Sequence, residues 1–207
     1  MSVYAGRIGE TVASEKVTVV DDASMEGRFG YFAYDDEGTK SQKTVLIENG
    51  VLKQYMTDIY YAKKLGLKPT GNGRRESYAY KPIPRMSNTY IAPGKDDPQE
   101  ILSSTKKGLF VTRMGGGQVN TTNGDFVFDV AEGYLIEDGE IGSLVRGATL
   151  IGNGPQVLKD IEMVGSDLGF SLGTCGKDGQ GVPVADAQPT IKIKSLTVGG
   201  LIEEGEK

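Results

Sequence analysis

The sequence predicts an α+β domain, mostly antiparallel β-sheet with several hairpins and about three short helices, and three observations predict it. Glycine supplies 30 of 207 residues, about twice its ~7% average share, with no Gly-X-Y period, so the excess belongs in turns. Two segments, Leu46-Ile47-Glu48-Asn49-Gly50 and Leu135-Ile136-Glu137-Asp138-Gly139, repeat one recipe, an apolar run followed by Asn-Gly or Asp-Gly, the residue pairs that accept the positive φ of a type I′ hairpin turn. Helical patterning is confined to three short stretches. No linker divides residues 1–207, so one domain is expected.

From the N-terminus, Gly9–Val20 ends in the β-branched run Val17-Thr18-Val19-Val20, a buried strand expected to close at Asp21-Asp22. The aromatic residues of Gly30–Asp36 favour a second strand, and Asp35–Thr39 supplies turn chemistry. After the Asn49-Gly50 hairpin, Thr57–Leu65 has helical periodicity with Gly66 as its stop, and Pro69–Arg75 is a Gly-rich loop. A helix is expected over Pro98–Lys107, with Asp97 as N-cap, Pro98 at the first position, Glu100 three after the cap and Gly108 as stop. Ile101, Leu102 and Thr105 lie on one face, and Lys106 and Lys107 suit its C-terminal dipole. The spacing of Val157, Leu158, Ile161 and Val164 predicts a third helix over Pro155–Val164. A last strand, Thr190–Leu196, alternates Ile191 and Ile193 with Lys192 and Lys194, which leaves one side solvated.

Composition excludes several functions. There is no His, so neither a Ser-His-Asp nor a Cys-His site can be assembled from this chain, nor a zinc site that needs imidazole. A single Cys makes no internal disulfide. The net charge of −5 and the absence of any basic run longer than Arg74-Arg75 argue against nucleic acid as a partner. The opening MSVYAGRIGE has no signal-peptide plan and no apolar run approaches the ~18–20 residues of a membrane helix, so a cytoplasmic protein is expected.

Four segments are candidate sites. Met114-Gly115-Gly116-Gly117-Gln118 is either a bulge or crowded strand crossing, or a wall on which Gly116, Gly117 and Gln118 contact a substrate backbone; it lacks the Lys and the helix of a phosphate loop. Arg74 and Arg75 either pair with acidic neighbours in a solvated loop or fork onto the carboxylates of a peptide or partner. Asp35-Asp36-Glu37 reads as a charged turn, with hard-cation ligation as its alternative. Cys175, in Gly173-Thr174-Cys175-Gly176-Lys177-Asp178-Gly179-Gln180, is bracketed by glycines that place it in a loop, with Lys177 near enough to favour thiolate. Local chemistry leaves it an inert thiol, a metal ligand or a nucleophile, and the usual base for a nucleophile is absent.

At this block the chain resembles a known family. LGTCGKDGQGVPVADAQPTIKIKSLTVGG (residues 172–200) resembles the C-terminal end of the TldD/PmbA metallopeptidases, also named modulators of DNA gyrase. VASEKVTVVDD, DDEGT, VLIENGVLKQYM, PTGNGRRES, PRMSNTYIAPG, GGGQVNTTNGDFVF, YLIEDGEI and RGATLIGNGP are similar to family blocks in the family order, and the Cys-Gly-Lys-Asp-Gly-Gln block resembles the TldD branch. The resemblance implies a zinc site made by two His of an HExxxH helix, whose Glu is the general base, and by the Cys of this block. Cys175 is thereby implied to be the third zinc ligand. It also implies a third, C-terminal domain that contributes this ligand and a cleft floor for flexible peptides, in a homo- or heterodimer of family members. An extended peptide beside a Gly-rich strand would then meet Gly116, Gly117 and Gln118 along its backbone, with Arg74 or Arg75 expected to border the cleft. The HExxxH helix is not in this sequence, so no catalytic residue is assigned, zinc is expected only in the complete enzyme, and the chain is expected to be inactive alone. The alternative is a non-catalytic interaction or dimerisation module of the same family.

Overall fold

The computed structural model describes residues 2–200. Strand β1 (Val19–Asp22) follows the β-branched run, but Asp21 and Asp22 lie inside it and are buried rather than closing it, because Ser87, Thr89 and Asn72 satisfy the Asp21 carboxylate. The Gly30–Asp36 segment is not a strand. Its backbone groups bond to separate partners, Gly30 N–H to the Asn88 side chain and Phe32 N–H to Ala23, rather than along one ladder, and only Tyr34 forms an isolated bridge, with Lys40. The expected charged turn is present: the Asp35 carboxylate accepts from the N–H groups of Glu37 and Thr39. Next, β2 (Lys43–Glu48) and β3 (Val51–Leu52) form the predicted hairpin, with φ of 47° at Asn49 and 81° at Gly50.

Helix α1 (Ile59–Leu65) is capped by the Asp58 carboxylate on Tyr61 N–H and stopped by Gly66 in the left-handed region. The predicted loop over 69–75 contains a two-residue strand, β4 (Gly73–Arg74), paired with β5 (Ile83–Pro84), and leads to β6 (Asn88–Ile91). Helix α2 (Pro98–Ser103) begins as predicted, with Asp97 capping Gln99, but ends four residues short of Lys107. The carbonyls of Thr105 and Lys106 are taken by the N–H groups of Gly139 and Asp138, and Lys107 already starts β7 (Lys107–Val119). Long β8 (Asp125–Glu137) pairs with β7 and turns at Asp138-Gly139, both at positive φ as predicted, into β9 (Glu140–Val145).

Strand β10 (Thr149–Asn153) leads into α3 (Gly154–Lys159), where the Asn153 side chain caps Gln156. The predicted third helix stops there; Ile161–Val164 is strand β11, paired with β14 (Ile191–Ile193), which is shorter than the predicted Thr190–Leu196. Between them run β12 (Gly169–Lys177) and β13 (Gln180–Gln188), and β15 (Thr197–Gly199) follows.

The strands form a six-stranded sheet, ordered β12-β13-β6-β1-β2-β3, and a five-stranded sheet, β15-β10-β8-β7 with β9 also on β8. All pairings between strands are antiparallel except β13 with β6, and the isolated Asp96–Gly165 bridge is also parallel, so the α+β class with mostly antiparallel sheet and three short helices is observed among the described residues. The core gathers Val12, Ala13, Val17, Ile47 and Leu52 beneath Ile161 and Val164, with Ile191 and Ile193 packed against it. A smaller cluster of Val20, Tyr90 and Ala187 sits under Phe170. The first cluster packs on Val19 and Ile91 and the second on Val20 and Tyr90, consecutive residues of β1 and β6, so the clusters cover opposite faces of the six-stranded sheet and hold β1 and β6 between them, with β13 joined through Ala187. No helix among the described residues is long and apolar enough to cross a membrane.

Candidate functional site

Cys175 lies within β12 rather than in the predicted loop. The turn begins three residues downstream, at Asp178 (φ 51°) and Gly179 (φ 71°), so the block is a third hairpin on the recipe that the sequence shows twice elsewhere. Cys175 faces Val182 across the ladder and is half-buried. Gly173 stands two residues before it on the same face, and Gly176 follows it. An added Cβ at Gly176 would meet nothing within 4 Å, and at Gly173 only Val184 at 3.9 Å. Neither glycine is required by crowding, and both leave the backbone beside the thiol bare. Because β12 is the outermost strand of its sheet, the thiol sits at a sheet edge.

Two buried guanidinium groups brace this hairpin. Arg74, 7% exposed, donates from Nη1 to the Met86 carbonyl (2.6 Å) and from Nη2 to the Pro183 carbonyl (2.9 Å), and lies over the Phe32 ring. Burial lowers its pKa from the ordinary value, while Asp21 and Asp36 oppose the fall; Arg85 adds to it and the Cys175 thiol opposes it. Arg85, 1% exposed, donates from Nη2 to the carbonyls of both Cys175 and Gln180. Its Nε and Nη1 are buried with no partner among the described residues, a condition that costs about 1–3 kcal/mol per group. Lys177, expected to favour thiolate, donates instead to the Pro84 carbonyl (3.1 Å).

Polar contacts tie this corner to the core. The Asp21 carboxylate accepts from Ser87 N–H (2.8 Å), Ser87 Oγ (2.7 Å), Thr89 Oγ1 (2.6 Å) and Asn72 Nδ2 (2.7 Å). Asn72 Nδ2 also donates to the Arg85 carbonyl, and Arg85 N–H donates to Asn72. On the far side of the turn, the Glu76 carboxylate accepts from Gly181 N–H (2.6 Å), and Gln180 links Glu76 N–H to the Lys81 carbonyl.

The predicted site residues separate into two groups. Arg74 adjoins Cys175, but as a buried brace on carbonyls rather than as a solvated arginine. Arg75 does pair with an acid: its N–H and Nε both approach Asp36, the Nε contact at 3.9 Å. Gly116, Gly117 and Gln118 belong to the other sheet, in β7, where they line a shallow open concavity with Val127 and Asp129. The register of β7 against β8 shifts between Met114 and Gly117, and an added Cβ on Gly117 would crowd the Val127 carbonyl and the Phe128 ring, so this stretch is bulged and crowded. Arg85 was invisible to residue-type reasoning; its only sequence signal is its place in the PRMSNTYIAPG block.

For a metal, the chain offers one thiol. Among the described residues no three His, Cys, Asp or Glu side chains gather as a metal-holding group, and the sequence contains no His. A thiol suits zinc as a ligand type, but one ligand does not make a site by itself.

The fold and the Cys175 hairpin define a domain class: residues 1–200 match the family model of the PmbA/TldA metallopeptidase C-terminal domain, and the chain belongs to that family. Among curated relatives it is 49% identical over 201 residues to a metalloprotease TldD homolog of Haemophilus influenzae and 47% identical over 203 residues to one of Buchnera aphidicola, covering 96% and 97% of this chain. It is 43% identical over 169 residues, 82% of this chain, to a zinc metalloprotease TldD homolog of Saccharolobus solfataricus. The chain spans 42% of the length of the Haemophilus and Buchnera relatives and 38% of the Saccharolobus one. Among solved structures, it resembles a protein of Thermotoga maritima described as a modulator of a DNA gyrase, with TM-score 0.80 and 28% identity over 96% of this chain and 42% of that one. It also resembles TldE of Thermococcus kodakarensis, with TM-score 0.74 and 30% identity over 96% of this chain and 43% of that one.

Proposed function

We propose that this domain serves a zinc metallopeptidase acting on flexible peptides, contributing Cys175 as one zinc ligand and the surrounding hairpin as part of the cleft floor. The observation that carries the reading is the position of Cys175, half-buried on an exposed sheet edge and flanked by glycines rather than packed in the core. An edge strand beside the ligand suits an extended substrate, since its free N–H and C=O groups can pair with a peptide backbone whatever the side chains are. The Gly116–Gln118 concavity is a second surface of the same kind, and Arg75 lies between Arg74 and Glu76, which both bond to the Cys175 hairpin. The domain alone carries neither a histidine nor a general base at Cys175, so it is inactive without the remainder of the enzyme. Pairing with a second family member in a homo- or heterodimer completes the reading, and the net charge of −5 speaks against a nucleic-acid partner.

The test uses an unstructured fluorogenic peptide. A protein of the relatives' full length carrying this domain should cleave it in a chelator-sensitive manner and lose most turnover on Cys175→Ala, while the chain alone stays inactive with or without zinc. Chelator-sensitive cleavage by the chain alone, or full turnover in Cys175→Ala, overturns the proposal, the latter in favour of an interaction module.

A further inference from the structure

We propose that Arg85 is a positioning residue whose guanidinium holds the Cys175 end of the β12–β13 hairpin by gripping carbonyls on both of its strands. The inference deepens the reading of Cys175 as a ligand, since a thiol at a sheet edge is useful to a metal only if the strand beneath it is held still.

Three observations carry it. Nη2 donates to Cys175 on β12 and to Gln180 at the start of β13, so one nitrogen ties the two sides of the turn together. The root of the side chain is fixed: Arg85 N–H donates to Asn72, the Arg85 carbonyl accepts from Asn72 Nδ2, and that nitrogen also reaches the buried Asp21 carboxylate. The hairpin is thereby referred to β1, in the middle of the six-stranded sheet.

The third observation is the cost. Arg85 is the largest of the fully buried side chains, and no acid stands within 4 Å of its charge among the described residues. Its Nε and Nη1 make no hydrogen bond. A residue kept for packing would not leave donors unsatisfied, since an apolar side chain of similar length fills the space without desolvating a cation. What an apolar chain cannot supply is the Nη2 contact with Cys175 and Gln180. Arg74 supports the same hairpin one turn of chain away, on Pro183, but touches neither end of the Cys175 segment. Lysine offers a single ammonium in place of the planar fork and recovers only part of the grip.

The experiment is hydrogen exchange by mass spectrometry on the full chain, alongside thermal melting, for wild type, Arg85→Met and Arg85→Lys. For Arg85→Met the expected result is a midpoint within about 5 °C of wild type or above it, with exchange in Gly173–Val182 accelerated about tenfold or more and β1 and β2 unchanged. Arg85→Lys should return the hairpin to within about threefold of wild type. A merely structural arginine would behave differently, its loss lowering the midpoint and loosening β1 and β2 together with the hairpin. Unchanged exchange at the hairpin, acceleration spread evenly over the sheet, or failure of Arg85→Met to fold each overturns the proposal. None of these results depends on zinc, so failure here and failure of the metal-ligand reading are separate events.

Discussion

Replacing Asp21 with Ala tests the link between core and site. The carboxylate is 1% exposed and accepts four hydrogen bonds of 2.6–2.8 Å, from Ser87 N–H and Oγ, Thr89 Oγ1 and Asn72 Nδ2. Hydrogen bonds to a charged group contribute about 1.5–3 kcal/mol each, but bonds sharing one acceptor are not additive. Removing one partner of a buried, charged network costs about 3–5 kcal/mol, because the donors left behind have lost their water as well as their acceptor. That is a large part of the roughly 5–15 kcal/mol that holds a domain folded. With a urea slope of about 2 kcal/mol/M, the midpoint should fall by about 1.5–2.5 M. Asp21→Asn retains one acceptor oxygen but turns N–H groups toward donors, and should cost about 2–3 kcal/mol. Urea unfolding followed by tyrosine fluorescence measures both. A loss below about 1 kcal/mol for Asp21→Ala would refute the reasoning, since it would mean that Ser87, Thr89 and Asn72 find other acceptors at no cost.

Two further predictions concern the glycine-rich strand and the thiol. Gly117→Ala should destabilise the chain by about 1–3 kcal/mol, because its Cβ would stand 2.5 Å from the Val127 carbonyl oxygen and closer still to the Phe128 ring; Gly116→Ala, with nothing within 4 Å, should change stability by less than about 0.5 kcal/mol. Equal effects in chemical denaturation would contradict the crowding argument. Half-buried Cys175 should react with a thiol reagent in the native chain, and Cys175→Ala should cost less than about 1 kcal/mol. A thiol that reacts only after denaturation would make it a packing residue.

What the sequence reveals follows from the range of the forces involved. The Asn49-Gly50 and Asp138-Gly139 turns were legible because a positive φ is a local demand that few residues meet. So were the caps at Asp97 and Gly66. The strand through Cys175 is hidden although Asp178-Gly179 carries the same turn signal, since the glycines at 173 and 176 suggest irregular chain where the backbone is simply extended. The apolar spacing through Ile161–Val164 suits either a helix or a strand; the partner that settles the matter, Ile191–Ile193, lies about thirty residues away. At the site, Cys175 could be found by residue type and Arg74 by its neighbourhood. Arg85 could not. Its role depends on a carbonyl ninety residues distant, and on burial that no local pattern announces in a charged residue.

The central claim, that Cys175 binds the metal of the complete enzyme, is tested most directly by X-ray absorption at the zinc edge on a protein of the relatives' full length, as wild type and as Cys175→Ala. The account predicts one sulfur neighbour at about 2.3 Å among nitrogen and oxygen neighbours at about 2.0–2.1 Å in the wild type, and loss of the sulfur shell in the variant. A wild-type spectrum without sulfur, or a sulfur shell that persists in Cys175→Ala, contradicts it.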